Sequence, residues 1–98
     1  MGAISLQFFQ YNERLGIMLP HLEKRLEEYE ETIQEEILLK WEQIRGKIPD
    51  RIKSLEQWIN QKQTQLEEEE DFETSCLLNS QIAELASIIN DLWIWYRI

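Results

Sequence analysis

The segment from Phe72 to Tyr96, FETSCLLNSQIAELASIINDLWIWY, decides the fold class. Apolar side chains recur in it at steps of three or four residues, the spacing of one face of an α-helix. No alternation of apolar and polar residues, which is typical of a β-strand, competes with this pattern. Asp71 directly precedes the segment and is a favoured helix-capping residue, so we predict a helix at residues 71–96. The stripe consists of Phe72, Ser75, Leu78, Ile82, Leu85, Ile89, Leu92 and Tyr96.

The same spacing occurs three more times, between residues that interrupt helices. Gly16 is suited to the end of a short first helix, because glycine accepts the left-handed conformation common there. Pro20 is of the type favoured at a first helical position. Gly46 and Pro49 mark another interruption, where the apolar stripe stays in phase, so that a sharp turn and a kinked continuation are both open. The predicted helices therefore cover residues 3–15, 20–45, 49–68 and 71–96.

The helix lengths and short connections predict the architecture. Short connections favour antiparallel neighbours, and narrow apolar stripes favour coiled-coil-like packing. We predict a single all-α domain over residues 1–98, an antiparallel helical bundle of three long helices plus a short N-terminal helix. A chain of 98 residues buries a modest share of its surface, so self-association is a natural source of further stability.

Composition limits the classes of partner and the setting. The chain has 19 acidic and 10 basic side chains and a net charge of −9. Because nucleic-acid binding requires Lys and Arg against phosphates, we predict no nucleic-acid partner. No stretch reaches the roughly 18 apolar residues of a membrane helix, so we predict no membrane span. The single cysteine and the lack of a visible secretory segment predict a cytoplasmic protein.

An acidic run followed by an apolar seam lies where the last two predicted helices meet. The run Leu66-Glu67-Glu68-Glu69-Glu70-Asp71-Phe72-Glu73 is followed by Ser75-Cys76, Leu78, Ile82 and Leu85. This segment resembles the UVR motif, a short antiparallel helical hairpin of the B and C subunits of bacterial nucleotide excision repair. The resemblance covers residues 59–88 and implies a protein-docking hairpin, although Asn79-Ser80 replaces the motif's usual Arg-Asp pair. Its acidic turn is Glu67, Glu68, Glu69, Glu70 and Asp71, and its seam is Leu66, Phe72, Leu78, Ile82 and Leu85.

Side chains suited to catalysis or metal binding are few. His21 and Cys76 are the only histidine and cysteine, and a thiol–imidazole pair is possible in principle, but no local signature accompanies them. We expect an exposed histidine and a gap-filling cysteine instead. The acidic helical faces lack the Glu-x-x-His pairs of di-iron bundles, and the acidic turn lacks calcium-loop spacing. We therefore predict no catalysis, no cofactor and no metal.

The C-terminal segment Leu92–Ile98 differs from the rest because it is apolar all round. Three explanations are open: the first helix covers it, a second subunit covers it, or it contacts lipid. Trp and Tyr are enriched in protein interfaces, so we predict an interaction surface made of Trp93, Trp95, Tyr96, Ile98, Phe8 and Phe9. The expected function is a protein–protein interaction and oligomerisation module, with a homodimer favoured. The alternative is a small regulatory or inhibitory protein whose acidic helical surface binds a basic target.

Overall fold

The computed structural model describes residues 8–98, which form a mostly helical chain with one small sheet. The chain divides into two compact units, Met1–Lys47 and Ile48–Ile98, called here the N-terminal unit and the hairpin unit. Within the described residues, no helix is long and apolar enough to cross a membrane. The elements are strands β1 (Phe9–Asn12) and β2 (Ile17–Pro20), a 3-10 turn (Leu26–Glu28), and helices α1 (Glu31–Gly46), α2 (Ile48–Glu68) and α3 (Phe72–Tyr96).

The predicted all-α fold of three long helices plus a short N-terminal helix is wrong, because the N-terminal unit contains an antiparallel β-hairpin. Phe9 lies opposite Pro20, and Asn12 lies opposite Ile17. The start of the predicted first helix, residues 3–7, lies outside the described residues. Of the described residues whose spacing predicted this helix, Tyr11 lies in β1 and Leu15 in the loop that follows it.

The hairpin loop explains why residues 9–20 do not form a helix. The Asn12 side-chain oxygen accepts the Leu15 N–H at 2.9 Å, and the Asn12 carbonyl accepts the Gly16 N–H at 2.7 Å. Gly16 has a φ of 75°, a left-handed conformation that glycine adopts without a steric penalty. Gly16 therefore closes a hairpin loop and does not end a helix.

The predicted helix at 20–45 begins only at Glu31. Pro20 is the last residue of β2, and the His21 N–H donates to the Phe8 carbonyl at 2.8 Å, which extends the hairpin ladder. The Glu28 carboxylate accepts the Arg25 N–H at 2.8 Å and closes the 3-10 turn. This bond is part of a capping box, which marks Arg25 as the start of a helical turn. The extended backbone of Tyr29 (φ −86°, ψ 159°) then ends the turn before α1.

The core of the N-terminal unit joins the β-hairpin of strands β1 and β2 to α1, which packs against β2. Apolar side chains from both strands, the loop and one face of the helix are buried. They are Phe9, Leu15, Ile17, Ile37, Trp41 and Ile44.

The hairpin unit consists of α2 and α3, which pack along each other as an antiparallel pair. Residues 69–71 connect them, and both helices lie within one residue of their predicted bounds. Pro49 is tolerated in the first turn of α2, where its missing N–H has no intrahelical acceptor. Lys47 alone separates α1 from α2, and its backbone is right-handed helical. The buried side chains are Ile48, Ile52, Leu55, Leu78, Ile88 and Leu92.

Candidate interaction surface

The acidic turn fixes the start of α3. The Asp71 carboxylate accepts the Thr74 backbone N–H at 2.9 Å and the Thr74 hydroxyl at 2.8 Å. The hydroxyl bond, and after it the backbone bond, holds the pKa of Asp71 below its ordinary value. The predicted capping role of Asp71 is confirmed. The Asp71 N–H in turn donates to the Glu69 carboxylate at 3.1 Å, so part of this turn is structural.

The predicted seam between α2 and α3 includes one residue that the structure places outside it. Leu78 is buried, and Leu66, Ile82 and Leu85 are half-buried. Phe72 is 78 % exposed. Six residues separate Phe72 from Leu78, which puts the two side chains about 120° apart around a helix of 3.6 residues per turn. Phe72 therefore belongs to the outer side of α3, and its predicted place in the seam is corrected.

The end of α3 presents a group of exposed apolar side chains, called here the C-terminal apolar surface. Trp93 and Tyr96 pack edge to face with ring centroids 5.5 Å apart. Trp95, from the predicted set, is half-buried. Ile94 is missing from that set, although the all-round apolar segment includes it. The surface consists of Trp93 (40 % exposed), Ile94 (46 %), Tyr96 (38 %) and Ile98 (66 %).

Arg97 caps the end of this helix. Its Nε donates to the Trp93 carbonyl at 3.2 Å, and its backbone N–H donates to the Trp93 and Ile94 carbonyls. A cation beside the last carbonyls of a helix interacts favourably with the helix dipole. The aromatic side chains of the surface therefore lie on a helix end that is capped by hydrogen bonds.

Phe8 and Phe9 lie in the N-terminal unit, whereas the other predicted residues of the surface lie in the hairpin unit. Phe9 is 6 % exposed and part of that unit's core. Phe8 packs edge to face on Tyr29 with ring centroids 5.2 Å apart. The Lys24 ammonium lies 4.8 Å from the centre of the Tyr29 ring. Their predicted role assumed a first helix, and residues 9–12 form a strand instead.

A surface groove of about 500 Å³ lies between α2 and α3. The Lys62 ammonium donates to the Gln81 side-chain oxygen across it at 2.9 Å. The Arg51 guanidinium lies 6.0 Å from the centre of the Trp58 ring, and that ring is 49 % exposed. The sequence pattern of a single helix does not predict this groove. Its lining is Trp58, Gln61, Lys62, Gln65, Gln81, Glu84 and Leu85.

The residues considered for catalysis belong to different units. His21 is exposed and follows β2 in the N-terminal unit. Cys76 is exposed on α3 in the hairpin unit, so the expectation that it fills a gap between helices is corrected.

Comparisons with known proteins do not assign the chain to a family. No protein-family model, curated protein or solved structure matches it.

Proposed function

We propose that the protein is a protein–protein interaction and oligomerisation module that associates through the C-terminal apolar surface. The supporting observation is that four large apolar side chains are exposed within the last six residues. Exposed apolar patches, aromatic ones above all, are typical of protein interaction sites.

The chemistry of this surface suits a protein partner. Aromatic rings provide a large contact area for few rotatable bonds, so ordering them on binding costs little conformational entropy. The Trp93–Tyr96 edge-to-face contact already restricts both rings. The UVR resemblance, which stays a hypothesis, points to the same class of function.

The distribution of charge favours a second copy as the partner. Two chains of net charge −9 repel each other over most of their surfaces. From Ala86 to Ile98 the only charged side chains are Asp91 and Arg97. Approach through this end therefore meets the least repulsion, and we favour a homodimer. We also propose a cytoplasmic setting, since an exposed single thiol suits a reducing compartment.

Sedimentation velocity of the full chain over a wide range of concentrations tests the proposal. Wild type should self-associate in the micromolar range, and I94S/I98S should weaken that association by at least about tenfold. The matched control is L38S/L39S on α1, because Leu38 (52 %) and Leu39 (58 %) are exposed to a similar extent as Ile94 and Ile98. The control should leave the association constant nearly unchanged.

Two results contradict the proposal. A wild-type chain that stays monomeric at high micromolar concentration removes self-association. Self-association that I94S/I98S leaves unchanged removes the C-terminal apolar surface as its site. Binding of the wild type to a basic protein that falls steeply with salt would support the alternative, an acidic surface acting on a basic target, since such binding is electrostatic.

A further inference from the structure

Helix α3 carries a second stripe of residues spaced by three and four, distinct from the seam that packs on α2. All its members are exposed, and none is a carboxylate. Large side chains stand at its two ends and small or amide side chains in its middle. This outer stripe is Phe72, Cys76, Asn79, Ala83, Ala86, Asn90, Trp93 and Arg97.

The outer stripe is nearly symmetric about its midpoint. Its steps, 4-3-4-3-4-3-4, are the same in both directions along the helix. From the middle outward, Ala83 corresponds to Ala86, and Asn79 corresponds to Asn90. A stripe with this property meets its own copy in an antiparallel arrangement with like residues in each inner layer.

We infer that the outer stripe binds the outer stripe of a second copy, antiparallel, with the two-fold axis passing between Ala83 and Ala86. The inference rests on the proposed self-association: Trp93 of the C-terminal apolar surface lies in the stripe, and Ile94 and Ile98 directly follow the stripe members Trp93 and Arg97. Alanines at the centre allow close approach, because the distance between helix axes depends on the side chains at the contact. A heptad-like stripe of this kind suits knobs-into-holes packing.

The asparagines specify this register. Asn79 of one chain lies opposite Asn90 of the other, and each amide has both donors and an acceptor. Such amides can hydrogen-bond to each other, whereas a shifted register would separate them. Single polar residues in otherwise apolar helix interfaces fix register and orientation in this way.

Charge complementarity selects the antiparallel arrangement over the parallel one. The antiparallel arrangement brings Arg97 of one chain opposite Phe72 of the second copy and next to that copy's acidic turn, Glu67–Asp71. A guanidinium gains both from an aromatic face and from nearby carboxylates. Opposed helix dipoles are favourable as well. A parallel pair would instead bring the two acidic turns together.

Disulfide mapping tests the register directly. N79C and N90C are each made in a Cys76→Ser background, so that every chain has one thiol. In the inferred dimer, like positions lie eleven residues apart along the axis, about 16 Å, too far for a disulfide. Asn79 and Asn90 of different chains are opposite each other. Copper-catalysed air oxidation should give a covalent dimer on a non-reducing gel when the two variants are mixed, and little with either alone.

Wild type provides an independent control with its natural thiol. Cys76 of one chain lies seventeen residues from Cys76 of the other in the inferred dimer, about 25 Å along the axis, so oxidised wild type should show little covalent dimer. If N79C or N90C loses helix content by circular dichroism, a mixture of wild type with W93C/C76S tests the same register. Cys76 and Trp93 are opposite in it.

The possible outcomes separate this inference from the proposed function. Efficient cross-linking of each single variant and of wild type indicates a parallel pair and overturns the inference. No cross-linking in any mixture, while wild type still self-associates in sedimentation, overturns the register and leaves the interaction module standing. A monomeric wild type removes both.

Discussion

The two units bury their apolar side chains in different ways. Among the described residues, the six buried side chains of the N-terminal unit come from two strands, a loop and one helix. In the hairpin unit, six buried side chains come from two long helices joined by three residues. The core of the N-terminal unit therefore depends on the loop that joins its short elements. The core of the hairpin unit depends on continuous helix faces.

This difference also affects what each unit leaves exposed. A long helix has room for two stripes, one facing its neighbour and one facing away. In α3 the inner stripe holds the hairpin together, and the outer stripe with the C-terminal apolar surface is available for binding. The hairpin unit, the simpler of the two, is therefore the one suited to carry the interaction.

The largest effect is expected from the core of the hairpin unit. Leu92 is fully buried in α3, so L92A should lower the free energy of unfolding by about 2–5 kcal/mol through lost burial and a cavity. Urea unfolding followed by circular dichroism measures this change. The matched control is L77A on the same helix, where Leu77 is 57 % exposed and the change should stay within about 0.5 kcal/mol. Equal effects would contradict the burial of Leu92 and the exposure of Leu77.

Two glycines should respond with opposite signs in the N-terminal unit. G16A places a Cβ at a φ of 75° and should destabilise by about 1–2 kcal/mol. Gly46 lies at the end of α1, where an added methyl group would meet no atom within 4 Å, so G46A should stabilise by up to about 1 kcal/mol. Amide hydrogen exchange resolved by unit measures both. If G16A slowed exchange in residues 9–20, the left-handed hairpin loop would be wrong.

The smallest effect concerns the cap of α3. D71A should lower the midpoint temperature of unfolding at neutral pH. D71N should lower it less, because asparagine also caps helices. The pKa of Asp71 is lowered in the folded chain, so its contribution is present above the unfolded value of about 3.8 and is lost as pH falls through the folded pKa. Thermal unfolding of wild type and D71A should therefore converge in strong acid. A difference that persists there would assign the effect to something other than the carboxylate.

Sequence periodicity predicted the hairpin unit better than the N-terminal unit for a physical reason. Over the 21 residues of α2 and the 25 of α3, many turns repeat the same spacing, so one exception does not disturb it. Around Phe9 and Ile17, each strand has four residues, too few to distinguish alternation from a helical step. The useful signal was Asn12 followed by Gly16, which suits a hairpin loop.

The candidate site was predictable only as a region. The all-round apolar composition of residues 92–98 indicated a surface, and exposure then separated Ile94 from the half-buried Trp95. Adding Phe8 and Phe9 depended on a helix that does not form. The groove beside Trp58 depends on side chains from both helices of the hairpin, and no periodicity within one helix indicates it.

The three-residue connection between α2 and α3 has a consequence for the order of folding. Lys62 and Gln81 meet across a separation of 19 residues, whereas the buried Ile52 and Leu92 at the open end are 40 residues apart in sequence. Each doubling of the closed loop adds about 0.6 kcal/mol of entropy cost, so pairing should spread from the acidic connection toward the open end. The most completely buried side chains of the unit, Ile48, Leu55 and Leu92, lie toward that open end. The segment that pairs last therefore gains the most free energy from burial. This favours cooperative pairing of the two helices over a state in which only the half next to the connection is paired.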